Sequence, residues 1–479
     1  MRVRNIHPVQ LARSRRTRLL ALPVLLSAAL AAQYTGNLPA ASARSAVTQT
    51  SGQAGEDPDT WVTTVPTGPP PSDIVANQCA GSQAQQCFTP HTWREAYGFQ
   101  PLLDGGIDGR GETITIVGSV ELCQPSGTSR QPAGSSNPQF PPDVTDIRQD
   151  LAAYDGEYGL PTARIEVVTA LAGAAHPWET TDEEAGLFEL LHAIVPAATL
   201  RVVLFPCDVV NTAANAASDT VAALQLAVSH TDVVAFNFAA GEHEFTAAEV
   251  AQIHSILHWA AAHHVTVTGS SGDVGASGQE WPISDPFVKE VSLPASDPLV
   301  LSVGGTDLTA NMSTGAYISE TAWTAPGIGG QAGGGFSNLY APPPYQDGVP
   351  GISAARGVPD VSAAAAGHSF WATADGKTYV TAEAGTSGSA PIWGALVAMA
   401  DQYAHHDLGF VNPAIYRIAQ SPAYHRAFHD VTTGNNTLVS PTGVTVTGYQ
   451  AGPGWDPVTG WGSPNAQVLV PLLAGRSSR

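Results

Sequence analysis

The chain has 479 residues, with 20 Lys and Arg against 41 Asp and Glu, a formal net charge of −21. Charged residues make up 13% and hydrophobic residues 43%, which excludes a disordered polyanion and leaves ample apolar material for a large core. The acidic balance also excludes nucleic acid or an anionic membrane as main partner, because phosphate binding needs clustered Lys and Arg.

In chain order, the first feature is a basic start, with Arg13, Arg15, Arg16 and Arg18 clustered, followed by an apolar run from Leu19 to Ala32. That run is short for a membrane-spanning helix. Ala29-Leu30-Ala31 and Ala41-Ser42-Ala43 are small-residue cleavage candidates, so residues 1–43 read as a signal peptide, with an uncleaved anchor as the alternative. Ser14-Arg15-Arg16 hints at twin-arginine export. The protein is therefore expected to be secreted and, once cleaved, free of the membrane. Cys79, Cys87, Cys123 and Cys207 suit that oxidising compartment. Four cysteines allow three pairings, and closeness in sequence favours Cys79–Cys87 with Cys123–Cys207. Residues 44–86 are rich in Ser, Thr, Gly, Pro and Gln without an apolar period, and are expected to be a flexible lead. A single globular domain is expected over 87–479.

Within that domain strands and helices alternate. Glu112–Val117 reads as a strand, Asp143–Tyr158 as a helix, Arg164–Val168 as a strand and Thr181–Ile194 as a helix. Leu200–Phe205 follows as a strand, Ala216–Ser229 as a helix and Val233–Phe238 as a strand. Thr246–His264 is a long helix opened by the capping box Thr246-x-x-Glu249, and Val265–Ser270 is the next strand. This order predicts a mostly parallel sheet with helices on both faces. Such sheets hold their sites at the C-terminal ends of strands, here just after Phe238, Ser270 and Glu383.

Gly385-Thr386-Ser387-Gly388-Ser389-Ala390-Pro391 stands between a predicted strand, Lys377–Glu383, and a predicted helix, Pro391–Tyr403. Ser387 would then sit at a helix N-terminus, where N–H groups and the macrodipole favour a developing anion, as an acyl-transfer nucleophile requires. A plain helix cap is the other reading of such a serine. No Asp follows the strand at Ile116-Val117-Gly118-Ser119, and no His opens a Gly-rich helix, so a Ser-His-Asp relay is not in view. His192, His263 and His264 read as core or solvated-face histidines.

Further motifs fall in a fixed order: Ile114-Thr115-Ile116-Val117, His192-Ala193-Ile194-Val195-Pro196, Gly272-Asp273 and Val303-Gly304-Gly305-Thr306. They continue with Gly333-Gly334-Gly335-Phe336-Ser337, Arg356-Gly357-Val358-Pro359-Asp360-Val361, the Ser387 motif and Gly452-Pro453-Gly454-Trp455-Asp456-Pro457. Together they resemble the sedolisin family of serine-carboxyl peptidases over nearly all of 87–475. The resemblance implies a subtilisin-like α/β fold with a C-terminal calcium loop.

It also implies roles. The family's base is a Glu whose helix carries an Asp four residues on, and residues i and i+4 share a helical face. Counting back from Pro196, the Glu falls on Glu183 and the relay Asp on Leu187. Glu189 lies about 240° around the helix from Glu183 at ~100° per residue, so it cannot simply replace the Asp. Glu179 could form a shifted pair with Glu183, but the capping box Thr181-x-x-Glu184 would start the helix after it. Asp273 matches the oxyanion-hole acid, which must be protonated to donate. Asp430, Val431, Gly452, Gly454 and Asp456 match the ligands of one calcium ion, hard oxygen donors on a tight loop. Two departures go with Leu187. Asn237-Phe238-Ala239-Ala240 replaces the Ser-Trp-Gly-Gly often found at the substrate-binding edge, and the stretch before Cys87 is short for the family's activation domain. The expectation is a secreted, monomeric serine-carboxyl endopeptidase that cleaves peptides or proteins at acid pH through an acyl-enzyme, impaired by Leu187. A catalytically inactive peptide-binding or scaffold relative is the alternative.

Overall fold

The computed structural model describes residues 59–77, 87–120, 144–169, 178–206, 216–278, 287–325, 330–374, 377–440 and 443–475. The alternation of apolar strands and helices builds a nine-stranded sheet. Ala163–Thr169, Thr199–Pro206, Thr113–Val120, Val233–Phe236, Thr266–Ser270 and Leu301–Ala310 lie side by side in that order, all parallel. Val361–Ala364 adds to Leu301–Ala310 in parallel, and Tyr317–Ala322 adds antiparallel.

Neighbouring residues of the central strands enter different cores, as the two-residue strand period requires. Val202, Val233 and Ala235 join a large cluster with the helices Asp182–Ile194 and Thr386–Ala404. Val203, Val234 and Phe236 join a second cluster with the helices Ala216–Ala227 and Ala247–Ala262. The sheet is therefore covered on both faces, and the fold is subtilisin-like α/β. Each Val, Leu or Ile so buried contributes about 1.5–3 kcal/mol.

Several boundaries differ from expectation. The described part of the 44–86 lead is structured rather than flexible. Asp59–Val65 pairs antiparallel with Ala163–Thr169 at the sheet edge, and Ile74–Asn77 pairs with Lys377–Glu383. Trp61, Thr63 and Val65 turn inward while Val62 and Thr64 are exposed, a strand period hidden by its polar members. The helix expected from Asp143 begins at Ile147, because Val144–Asp146 pairs with Glu179–Thr181 and the Asp146 side chain caps Arg148 N–H. Glu179 is thus in a short strand before the Asp182–Ile194 helix and not on the helix with Glu183. Val233–Phe236 ends two residues early. Lys377–Glu383 belongs to a separate three-stranded sheet with His368–Ala374 and Ile74–Asn77, not to the parallel sheet.

The expected signal segment lies outside the described residues. Cys87 is disulfide-bonded, but Cys79, Cys123 and Cys207 also lie outside them. No helix among the described residues is long and apolar enough to cross a membrane.

Candidate active site

The helix carrying Ser387 starts at Thr386, five residues before the expected start. Pro391 lies inside it and has no N–H to offer the Ser387 carbonyl, so that intrahelical bond is missing. Gly385 precedes the helix with an extended backbone that any residue could adopt. Its lack of a side chain matters for space: a Cβ there would lie 2.9 Å from Asp273 Oδ2 and 3.0 Å from Ser387 Oγ. The two oxygens thus border one small gap at the helix N-terminus.

Asp273 follows the Thr266–Ser270 strand, at the C-terminal end that parallel sheets reserve for chemistry. Thr386 N–H and the Thr386 hydroxyl both donate to its Oδ1, each at 2.7 Å. Gly272 N–H donates to Thr386 Oγ1 at 3.2 Å, and Ser270 Oγ lies 2.5 Å from it. With the threonine proton committed to Asp273, Ser270 is the donor in that last pair. Burial raises the Asp273 pKa, and the two Thr386 bonds oppose the rise. Oδ1 is the occupied acceptor, so Oδ2, facing Ser387, is the place for a proton. Thr386 and Ser270 were not singled out in advance. Thr386 lies inside the motif, but only the fold shows which acid it holds.

The Asp182–Ile194 helix packs on the serine helix and on the His368–Ala374 strand. Glu183 is partly exposed in its first turn. Leu187, on the same face, is 5% exposed and belongs to the main apolar cluster. A Cβ on the intervening Gly186 would sit 2.6 Å from Phe370 Cβ, so helix and strand are in close contact there.

Glu189 is fully buried and accepts Trp371 N–H at 3.0 Å. Asp150 accepts Thr373 N–H at 2.6 Å and the Thr145 hydroxyl. These two acids anchor the strand that runs back into Lys377–Glu383 and the serine motif. Burial first, and then the Asp150 charge, push the Glu189 carboxyl well up. Asp155 is buried beside His192, with 3.4 Å between Oδ2 and Nε2. Burial pushes Asp155 up to about 8 and His192 down to about 4, so both are neutral between those values and form no ion pair. His192 Nε2 lies 2.8 Å from the Pro161 carbonyl, the acceptor for its proton. His192 is thus a core histidine, whereas His263 ends the Ala247–Ala262 helix in an exposed stack on Trp259. His368 also went unremarked in the sequence. Its ring stacks on Trp93 and abuts Gly388, where a Cβ would meet Cε1 and Nε2 at 2.5 Å.

No family model matches the chain. Kumamolisin of Bacillus sp. (strain MN-32) is 31% identical over 409 residues, covering 83% of this chain and 65% of that protein. Tripeptidyl-peptidase 1 of Homo sapiens is 30% identical over 251 residues, covering 48% of this chain and 41% of that protein. Among solved structures, Pseudomonas sedolisin, a serine-carboxyl proteinase complexed with two molecules of pseudo-iodotyrostatin, superposes with a TM-score of 0.61 at 25% identity. That match covers 82% of this chain and 99% of the sedolisin chain. By these matches the chain is similar to the sedolisin family of serine-carboxyl peptidases. It spans less than two thirds of the length of these two relatives.

At the edge expected to bind substrate, Asn237-Phe238-Ala239-Ala240, Ala240–Gly241 pairs with Ser292–Leu293. The Ala239 Cβ faces Gly272, 3.8 Å from where a Cβ on that glycine would be. The replacement methyls are buried, so this edge is better filled than a glycine pair would leave it.

The residues matched to the sedolisin calcium loop converge. Gly454 N–H lies 3.2 and 3.1 Å from the two Asp430 carboxylate oxygens. Asp456 Oδ1 accepts Val458 and Thr459 N–H at 2.8 and 2.9 Å, and Oδ2 accepts Gly452 N–H at 3.0 Å. The Val431 carbonyl accepts the Thr459 hydroxyl at 3.0 Å. Gly454 has φ +76°, the left-handed region that makes such a turn possible. The two carboxylates and the Val431 carbonyl are oxygen donors, and both carboxylates lie against the Gly452–Gly454 turn, which fits a hard cation.

Proposed function

We propose that the protein is a serine-carboxyl endopeptidase of attenuated activity, with Ser387 as nucleophile, Glu183 as base and Asp273 as oxyanion donor. The supporting observation is the gap shared by Ser387 Oγ and Asp273 Oδ2 at the start of the serine helix. In the reading offered, a peptide carbonyl sits in that gap. Ser387 Oγ attacks its carbon, Glu183 takes the hydroxyl proton, and protonated Asp273 donates to the oxyanion. The tetrahedral intermediate collapses as its C–N bond breaks, Glu183 returns the proton to the leaving amine, and an ester remains on Ser387. Water, giving a proton to Glu183, then attacks the ester, and breaking the ester C–O bond releases the acid product while Glu183 returns the proton to Ser387 Oγ. The protonated acid requires acid pH, and a carboxylate base, unlike imidazole, can still be ionised there.

Leu187 is where this scheme is weakest. A buried leucine can neither orient Glu183 nor pass on its proton. This, with Ala239 and Ala240 at the edge, supports the second reading, a peptide-binding or scaffold relative without turnover. Asp430, Asp456 and the carbonyls of Val431, Gly452 and Gly454 would hold one calcium ion. When bound, it cross-links the C-terminal loop and takes no part in bond breaking. The remaining proposals are export by residues 1–43, extracellular action as a monomer, and the pairing of Cys79–Cys87 with Cys123–Cys207.

Cleavage of a peptide library between pH 3 and 7, with Ser387→Ala as control, tests the reading. Slow cleavage at acid pH that vanishes in Ser387→Ala supports the peptidase. Peptide binding with no cleavage at any pH supports the scaffold.

A further inference from the structure

The far end of the serine helix carries a second group of acids. Glu112 stands one residue before the Thr113–Val120 strand, and Asp232 one residue before Val233–Phe236. Asp401 is in the last turn of Thr386–Ala404, and Asp407 lies in the loop after it. Fifteen helical residues separate Ser387's neighbour Thr386 from Asp401, about 22 Å at 1.5 Å per residue.

One carboxylate oxygen from each of Glu112, Asp232 and Asp407 lies within 4.8 Å of the others. Glu112 and Asp232 are half-buried and Asp407 is exposed, so the group opens to solvent on one side. Asp401 backs it from the inside. It is 1% exposed, its Oδ1 accepts Leu408 N–H at 2.8 Å, and its Oδ2 has no hydrogen-bond partner. Its electrostatic neighbours are Glu112, Asp407 and Asp232. Asp232 Oδ2 is pinned by Thr113 N–H at 2.7 Å. Arg110, two residues before Glu112 in the chain, is exposed and paired with Asp108 at 2.9 Å. Four converging carboxylates with no Lys or Arg among them repel one another unless they share protons or a cation.

We propose that Glu112, Asp232 and Asp407, backed by Asp401, form a site for a hard divalent cation such as calcium, apart from the 430–456 loop. The donor set is carboxylate oxygen only, and the exposed Asp407 side supplies an entry path. The ion would tie together the starts of two parallel strands and the C-terminal end of the serine helix.

The test is equilibrium dialysis of the full chain against calcium chloride at pH 7.5, with melting curves in calcium and in chelator. The wild type should bind one ion more than Glu112→Gln, Asp407→Asn. In chelator, removing these two charges should raise the melting temperature by relieving repulsion. In calcium, the same change should lower it relative to wild type. Equal stoichiometry for the two proteins overturns the proposal. A rise of the same sign in both media also overturns it and makes the group a proton-sharing cluster. If the double variant fails to fold, Asp407→Asn at the exposed position carries the test: it should weaken calcium binding at least tenfold, and unchanged binding overturns the site.

Discussion

The two sides of the candidate active site are built differently. On the Asp273 side every polar atom is accounted for in a chain from Ser270 through Thr386 to the carboxyl, and one oxygen faces Ser387. On the Glu183 side the helix turns a leucine into the apolar core at the position four residues on. Glu189, a buried acid of the same helix, holds the backbone of a neighbouring strand. A polar network of this kind specifies geometry because each unpaired member is costly in low dielectric. The leucine contributes burial and no direction. One half of the site is thus organised for charge stabilisation, and the other for stability.

Restoring the missing carboxyl is the strongest way to break this contrast. In a Ser-His-Asp triad the orienting carboxylate is worth about 10⁴ in kcat. Leu187→Asp should therefore raise acid-pH cleavage by a large part of that factor. The gain should vanish in Leu187→Asp, Ser387→Ala, and Leu187→Asn should recover little. It should come with lower stability, since a large-to-small change in the core costs about 2–5 kcal/mol. A folded Leu187→Asp variant with unchanged kcat would place the defect at Ala239 and Ala240.

The Asp273 side should respond on a smaller scale. Losing one oxyanion donor typically costs about 10²–10³ in kcat. Asp273→Ala should lower residual kcat by that amount with little change in KM. Because burial raises the Asp273 pKa, the proton it donates is present at low pH and lost as pH rises. Wild-type activity should fall on that limb, and Asp273→Asn, which keeps an amide donor at all pH values, should flatten it. A limb unchanged in Asp273→Asn assigns it to another group.

Chelation at constant pH should lower the melting temperature, and added calcium should restore it. Asp456→Ala should mimic part of the loss. No change on chelation, with no calcium found by elemental analysis, removes the 430–456 loop as a metal site.

The smallest effect concerns Asp155, buried on the Ile147–Tyr158 helix. Asp155 titrates near 3.9 in an unfolded chain and near 8 in the fold. Between those values the fold holds a proton that the unfolded chain has released, so stability falls as pH rises from about 4 to about 8. Asp155→Asn should raise the melting temperature at pH 7 by at least about 2 °C and change it little at pH 4. Equal shifts at both pH values would mean that packing, not ionisation, governs the site.

Much of the architecture was legible in the chain because it rests on local rules. Apolar runs of five to eight residues between amphipathic helices dictate a parallel sheet, and Thr246-x-x-Glu249 marks a helix start that the fold keeps, with Thr246 Oγ1 accepting Glu249 N–H. The Gly385–Ser387 motif places a serine at a helix N-terminus by the same local logic. Features that depend on distant partners were not legible. Asp59–Val65 shows no apolar alternation of its own and becomes a strand because Ala163–Thr169 offers it an edge. Thr386 has no visible partner in the sequence until the Thr266–Ser270 strand brings Asp273 to it across more than a hundred residues. Glu112, Asp232, Asp401 and Asp407 are four unremarkable acids until two strand starts and one helix end meet. Propensity, period and capping act within a few residues and are written in the chain. Burial, proton affinity and the convergence of charges are set by what the fold places opposite, and only the tertiary structure decides them.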